Sequence, residues 1–466
     1  MNTDLIIIGS GPGGYKAAEY AAKRGLEVVV VERGEAGGTC LNCGCIPTKP
    51  LARHAEIAGA LKDADDYGIA DLQWRLDFGK VMERKQKVVE QLRSGVEYIL
   101  SQPHITLVRG HASFKDAHTV TVAGTDGGSA EPAVGEYTAR HSILATGAAP
   151  KLLHIPGIGS TKVVTSEALL SITSIPRRLC IVGAGVVGME FASIFNAFGT
   201  EVTVVEFLDE CLSMADADFA KRLRTLLKRR GVTFHLQAKV KAITGEGVVF
   251  ERKGKEQTTE ADMVLMATGR EPMLEGLNLE AAGVHYGRQG IAVNGQMQTS
   301  AAHIYAIGDV TDRSLQLAHT ATAEGIRAVN HLMGRSGGPC LEVVPAAVFT
   351  HPELAFVGMN RSKCQSAGIA YHSATVYYRA NGRAQALGDT DGLLELLCDE
   401  AGWLIGCTAL GSHAADIVQE AGALMCRKTT AGELCNMIHL HPAVNELLVD
   451  AAEKLVEAIG SPTDTV

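Results

Sequence analysis

Near its start the chain carries apolar residues in unbroken blocks, not in alternation. The run 5–8 (Leu-Ile-Ile-Ile) leads into Gly9-Ser10-Gly11-Pro12-Gly13-Gly14. A small-residue helical pattern over 17–23 follows, then a second apolar run at 28–31 that ends on Glu32. An unbroken apolar block bounded by glycine reads as a strand covered on both faces, as in a parallel sheet. The predicted order is therefore strand, turn, helix, strand, acid. It recurs as the run 179–182, the turn 183–188, a helix through Phe198, the run 202–205 and Glu206. In both copies the acid stands 23 residues beyond the first glycine. Two further apolar runs, 143–144 and 264–266, lead into an Ala-Thr-Gly turn and predict the strands that close each unit. The segments 104–137 and 232–259, rich in Val, Thr and turn residues, predict antiparallel meanders, with a loop tip at 126–135. Over 78–100, Val81, Val88, Val89, Leu92, Val96 and Ile99 form a helical stripe that predicts core packing. From residue 344 the pattern changes to an apolar strand (343–349), a turn at His351-Pro352 and an α+β alternation to about 459. Four regions are expected: 1–148, 149–271, 272–343 and 344–466.

The glycine turns carry chemistry. Gly9, Gly11 and Gly14, like Gly183, Gly185 and Gly188, allow a tight turn and let helix N-terminal N–H groups approach a pyrophosphate. Glu32 and Glu206 stand where an acid can take a ribose hydroxyl. One such turn can be a βα connection that holds no nucleotide; two at matched spacing predict two dinucleotides. The fold class expected is α/β, with two Rossmann-like dinucleotide-binding domains, a central domain and a C-terminal α+β domain.

Composition narrows the partners. With 466 residues, several cores are needed. A net charge of −9 and a pI near 6.0 lack the basic face that a phosphate backbone requires, so no nucleic acid partner is expected. No apolar run approaches the roughly 18 residues of a membrane span, and the first strand begins too near Met1 to leave room for a signal peptide. A cytoplasmic protein without a membrane partner is expected. Of 11 cysteines, eight fall in apolar or helical contexts and read as small core residues.

The other three, Cys40, Cys43 and Cys45, lie in Gly37-Gly38-Thr39-Cys40-Leu41-Asn42-Cys43-Gly44-Cys45-Ile46-Pro47-Thr48-Lys49, just beyond Glu32. Cys40 and Cys43 could be half a zinc site, but no second ligand pair follows, so no metal is expected and a redox disulfide is the better reading. This segment resembles the redox-active stretch of the pyridine nucleotide–disulfide oxidoreductases, class I, and the likeness extends over essentially the whole chain. It implies FAD in the first domain, NAD in the second, a central domain that completes the FAD site and a C-terminal dimerisation domain.

The resemblance also implies roles. Cys40 becomes the interchange thiol and Cys45 the flavin-side thiol, with Lys49 near flavin N5 and paired with Glu190. Gly38, Thr39, Thr146, Gly147, Asp309 and Ala318 line FAD, and Gly269 lines NAD. His441 acts as general base, oriented by Glu446, across a homodimer interface. Glu206, Asp209 and Glu210, with no arginine nearby, favour NAD over its 2′-phosphate. The runs 350–353, 380–384 and 439–446 resemble the branch that oxidises dihydrolipoamide. The implied partner is thus a lipoyl-bearing protein of a 2-oxoacid dehydrogenase or glycine cleavage complex, and since no lipoyl domain or Ala/Pro linker is visible here, the lipoyl group comes from another chain. An NADH-dependent reductase for another low-molecular-weight disulfide shares every motif, and a structural or binding component of an assembly stays open. Cys43 stands where the family usually has an aliphatic residue: either a small apolar substitute or a third redox partner. Pro50, after Lys49, casts doubt on helix geometry there.

Overall fold

A computed structural model describes residues 1–124, 135–313 and 315–460. Residues 126–134 of the expected loop tip lie outside the described residues, and Gly135 already begins a strand.

The first unit runs β1 (Asn2–Ile8), α1 (Pro12–Ala22), β2 (Val28–Glu32), α2 (Gly38–Cys43), α3 (Cys45–Lys62), α4 (Phe78–Leu100), β3 (Ile105–Arg109), β4 (His111–Phe114), β5 (Thr119–Ala123) and β6 (Gly135–Leu144). Its sheet has the order β3-β2-β1-β6-β5-β4. Strands β3, β2, β1 and β6 are parallel, which accounts for the unbroken apolar runs: Leu5, Ile6, Ile7 and Val28 through Val31 are all buried. The meander expected over 104–137 is only partly present. Residues 105–109 form the parallel strand β3, because the α4 crossover returns the chain in the direction of β2, and β4 and β5 alone are antiparallel. In α4 the stripe also narrows: Val81, Val89 and Val96 are buried, whereas Leu92 is 45% exposed. Leu92 lies at the edge of the buried face, which runs through Val81, Lys85, Val89, Val96 and Leu100.

The second unit opens with β7 (Ala148–Pro150), β8 (Val163–Val164), α5 (Ser166–Leu169), β9 (Arg178–Val182), α6 (Val186–Ala197) and β10 (Glu201–Val205). It continues through α7 (Ala217–Arg229), β11 (Thr233–His235), β12 (Ala238–Ile243), β13 (Gly247–Arg252), β14 (Lys255–Glu260), β15 (Met263–Met266) and β16 (Arg270–Pro272). Its parallel sheet has the order β11-β10-β9-β15-β8, beside a separate antiparallel β12-β13-β14 sheet. Again the first strand of the expected meander, here β11, is parallel. The two connections between units lie side by side as the antiparallel pair β7 and β16.

After the hairpin β17 (Tyr286–Gly287) and β18 (Gly290–Ile291), the chain returns to the first unit. There β19 (Ile304–Ala306) runs parallel to the second half of β6 and α8 (Ala318–Leu332) packs on α1. The last unit comprises β20 (Ala346–Val348), β21 (Glu353–Gly358), α9 (Arg361–Ala367), β22 (His372–Tyr377), α10 (Gly382–Leu387), β23 (Leu393–Cys398), β24 (Leu404–Gly411), α11 (Ala414–Cys426), α12 (Ala431–Cys435) and α13 (Glu446–Ile459). Its antiparallel sheet is β20-β21-β24-β23-β22. The strand expected over 343–349 shrinks to β20, since Pro345 has no N–H to donate. No helix among the described residues is long and apolar enough to cross a membrane.

Candidate active site

The two glycine turns match at atomic detail. A Cβ on Gly9 would lie 2.3 Å from the Ala145 carbonyl oxygen, and one on Gly183 2.4 Å from that of Ala267. Both glycines have a left-handed φ, 101° and 103°, which L side chains rarely adopt. A Cβ on Gly14 would lie 1.9 Å from the Gly9 carbonyl oxygen, and one on Gly188 2.1 Å from that of Gly183. The outer glycines are therefore required by the protein's own packing. The middle ones are not: a Cβ on Gly11 or Gly185 meets nothing within 4 Å, and both residues line one large cavity. Glycine at those two positions keeps that space clear for something from outside the chain, as a pyrophosphate at a helix N-terminus demands.

The acids repeat as well. Glu32 accepts from the backbone N–H of Ser10 (2.8 Å) and Gly34 (2.8 Å); Glu206 accepts from Ala184 (2.5 Å) and Leu208 (2.8 Å). Glu32 lines the cavity; Glu206 lies beyond its lining. The expectation that no arginine stands near Glu206 and Glu210 needs correction. Arg224, on α7 and distant in sequence, reaches Glu210 with two N–H groups at 2.7 Å each. That guanidinium is already neutralised by a carboxylate.

The cavity, of ≈ 1340 Å³, runs between both turns and brings most of the expected residues together. Gly9, Gly11, Glu32, Gly38, Thr39, Thr146 and Gly147 line it from the first unit, and Gly185, Glu190 and Gly269 from the second; Asp309 and Ala318 come from the returning segment, and Cys40, Cys43, Cys45 and Lys49 lie between. Gly14, Gly183 and Gly188 stand behind the turns. This space, lined by the glycine gap of each turn, an acid and the thiols, fits FAD and a nicotinamide nucleotide. Among the described residues no cluster of three or more ligating side chains could hold a metal ion.

The thiols owe their position to α3, which runs from Cys45 through Pro50 without a break. Packing of buried Pro50 and Leu51 outweighs the lost N–H that raised doubt in the sequence. Leu51, Ala52 and Ala55 share a core with Met189, Phe191 and Phe195 of α6. That contact sets Lys49 Nζ 3.0 Å from both oxygens of Glu190, whose Oε1 also accepts from the Phe349 N–H at 2.9 Å. The Phe349 ring lies 4.3 Å from the same ammonium.

The three cysteines differ electrostatically. Cys45 is exposed, but into the cavity. A hydrogen bond donated by Cys40, helped by the nearby Lys49 charge, holds the Cys45 thiol well below the ordinary cysteine range despite burial by its surroundings. The same bond, with desolvation, holds Cys40 above that range, so the dithiol keeps its proton on Cys40 and its negative charge on Cys45. Burial and the neighbouring Glu167 carboxylate push Cys43 up to about 12, which leaves it a protonated thiol.

Two expected residues are not brought to the thiols. His441 does not line the cavity; its side chain is 80% exposed, with Nδ1 2.8 Å from Glu446 Oε1. Glu446 also accepts from the Ala443 N–H at 2.9 Å, and these two bonds hold its carboxyl below the usual range, ionised. A carboxylate on Nδ1 makes that nitrogen the donor and leaves the Nε2 lone pair free. Beside His441, Met437, Ile438 and Leu440 are exposed as well. Sequence reasoning missed Glu324, which is 1% exposed and accepts from the Gly308 N–H at 2.7 Å, fixing the loop that carries Asp309. It also missed Arg270, 3.9 Å from Asp309, and Phe349. A lone charged or aromatic residue outside a motif gives no local signal of this kind.

A family profile described as pyridine nucleotide-disulphide oxidoreductase matches residues 3–325, and one described as the dimerisation domain of the same group matches residues 344–452. The chain is 35% identical to a dihydrolipoyl dehydrogenase of Mycoplasma pneumoniae, covering 97% of this chain and 98% of that one. It is 36% identical to one of Geobacillus stearothermophilus, covering 99% and 97%. Among solved structures it is similar to LpdA from Mycobacterium tuberculosis, with a TM-score of 0.89 at 27% identity, covering 97% and 99%. It is also similar to an HOCl-induced flavoprotein disulfide reductase from Escherichia coli, with a TM-score of 0.84 at 29% identity and the same coverage of each chain.

Proposed function

The chain belongs to the pyridine nucleotide–disulphide oxidoreductases, and from that premise we propose that it oxidises dihydrolipoamide to lipoamide with NAD as electron acceptor. The observation that carries this reading is the unequal thiol pair in a cavity shared by both glycine turns. When the pair is a disulfide, attack on a given sulfur expels the other, and the thiol of lower pKa leaves faster. Charge collects on Cys45, so the substrate thiolate attacks Cys40 and Cys45 departs as a thiolate beside Lys49. The second substrate thiol then displaces Cys40, which takes up the proton. FAD, held by the first unit and Asp309, would supply two-electron transfer between this dithiol and the nicotinamide. Lys49, held by Glu190, whose carboxylate also accepts from the Phe349 N–H, stands beside Cys45.

The base that removes the substrate protons is His441 of the partner subunit, with Glu446 holding its tautomer. The exposed apolar run beside His441 supports burial of this face in a homodimer. Dihydrolipoyl dehydrogenase as the name of relatives at 35–36% identity supports a lipoyl group on another protein as the substrate. Glu206 and a neutralised Arg224 support NAD over NADP.

The test is kcat/KM for dihydrolipoamide with NAD, beside kcat/KM for a panel of other low-molecular-weight disulfides with NADH and with NADPH. A lipoamide preference, and NADH favoured over NADPH by roughly a hundredfold, are expected. A better rate with another disulfide makes the chain a reductase for that thiol. Cys40→Ser and Cys45→Ser lose turnover by at least about 10³ with flavin retained, whereas Cys43→Val stays within a few-fold of wild type; equal inactivity of Cys43→Val overturns the pairing.

A further inference from the structure

Two of the cysteines that read from sequence as small core residues are neither buried nor alone. Cys340, in the segment after α8, and Cys426, the last residue of α11, are both exposed, and their side chains are neighbours close enough to act on each other electrostatically. Neither lines the cofactor cavity. The segment that carries Cys340 is tied down: Arg327 of α8 donates to the Pro339 carbonyl at 2.6 Å and stands 4.0 Å from Glu342, and Asn330 donates to the Gly337 carbonyl at 3.1 Å. A few residues on, Val343 packs against Gly422, one helical turn before Cys426. The Val343 contact therefore brings a segment anchored on α8 against the end of α11, and the two thiols lie beside each other at the seam.

We propose that Cys340 and Cys426 form a second dithiol, distinct from the flavin-site pair, which a low-molecular-weight disulfide oxidises to a covalent brace between the α8 segment and the dimerisation unit. The Cys340 thiolate attacks one sulfur of the small disulfide. A protein mixed disulfide forms and one small thiolate leaves and is protonated. Cys426 then attacks the Cys340 sulfur, the intramolecular bond forms and the second small thiol leaves. Two protein thiols are oxidised and one small disulfide is reduced to two thiols. Burial and the adjacent Cys340 push the Cys426 thiol up, and Cys340 donates to Glu342 at 3.3 Å. The raised Cys426 thiol makes the resolving step faster as pH rises.

To test this, the full-length holoenzyme is equilibrated with oxidised and reduced glutathione in varied ratio at mildly alkaline pH. It is quenched with N-ethylmaleimide, digested without reduction and mapped by mass spectrometry. A peptide pair joined through Cys340 and Cys426 is expected to dominate at the oxidising end and to disappear with dithiothreitol. Tm should shift upward by a few degrees in the oxidised form, because the bond closes a long loop. Cys340→Ser and Cys426→Ser should each abolish the cross-link and the Tm shift. Free alkylation of both residues at every ratio, or separate glutathione adducts that never resolve into the cross-link, overturns the proposal.

Discussion

At the scale of single residues, the three glycines of each turn answer to different physics. Gly14 is required by the Gly9 carbonyl, 1.9 Å from where a Cβ would be, whereas Gly185 has open space on that side. Gly185→Ala is therefore expected to fold with flavin retained and to raise KM for NADH about tenfold, the equivalent of ~1.4 kcal/mol. Gly14→Ala should lose about 3 kcal/mol or more of stability through overpacking against backbone. Thermal melts beside steady-state kinetics separate the two; a Gly185→Ala enzyme with unchanged KM would mean that nothing approaches that turn. Cys45 gives a second prediction. Its folded pKa lies below that of an unfolded cysteine, so between the two values the folded dithiol binds fewer protons than the unfolded chain. That contribution to stability is present above the unfolded value and is lost as pH falls through the folded one. Thiolate absorbance of the reduced protein should appear at lower pH than the roughly 8.5 of a free cysteine, and Lys49→Met should move it upward. An unmoved titration would show that Lys49 does not act on this sulfur.

At the scale of elements, the site depends on which helices meet. The core shared by α3 and α6 places Lys49 on Glu190, 141 residues away in sequence, and the pairing of β19 with β6 delivers Gly308 and Asp309 to the cavity. Glu324 of α8 secures that delivery. Glu324→Ala leaves the Gly308 N–H without its acceptor, at a cost of about 1–3 kcal/mol, and should release flavin more readily. Glu324→Gln keeps an acceptor oxygen and should hold flavin nearly as well as wild type. Flavin retained after gel filtration at increasing urea reads the difference, and equal loss from both variants would locate the effect in the charge and not in the hydrogen bond.

At the scale of the whole molecule, one chain is an incomplete catalyst on the proposed reading: the thiols face a cavity and the histidine pair faces solvent, 80% exposed. A two-fold interface completes two sites at once. Mixing Cys40→Ser subunits with His441→Gln subunits, each inactive alone, should restore activity to about a quarter of wild type after random exchange. Half the dimers are then mixed and each has one intact site. Continued inactivity with mixed dimers demonstrated by differential tags would mean that His441 serves its own chain.

What the sequence determined by itself was local. Glycine spacing, unbroken apolar runs and the crowding of Cys40, Cys43 and Cys45 are properties of short stretches, and each survives in the fold as a turn, a buried parallel strand or a thiol cluster. Position in space was decided elsewhere. Residues 105–109 and 233–235 became parallel strands because a crossover set their direction, and Leu92 was left at the solvent edge of the face that α4 buries. Arg224 reached back from α7 to Glu210 in the preceding loop, and the exposed Cys340 came beside Cys426 across a seam between units. Such pairs depend on long-range approach of surfaces whose shape no local pattern encodes. The kinds of chemistry available were therefore legible along the chain, while the partners that tune each group were fixed only when the units packed together.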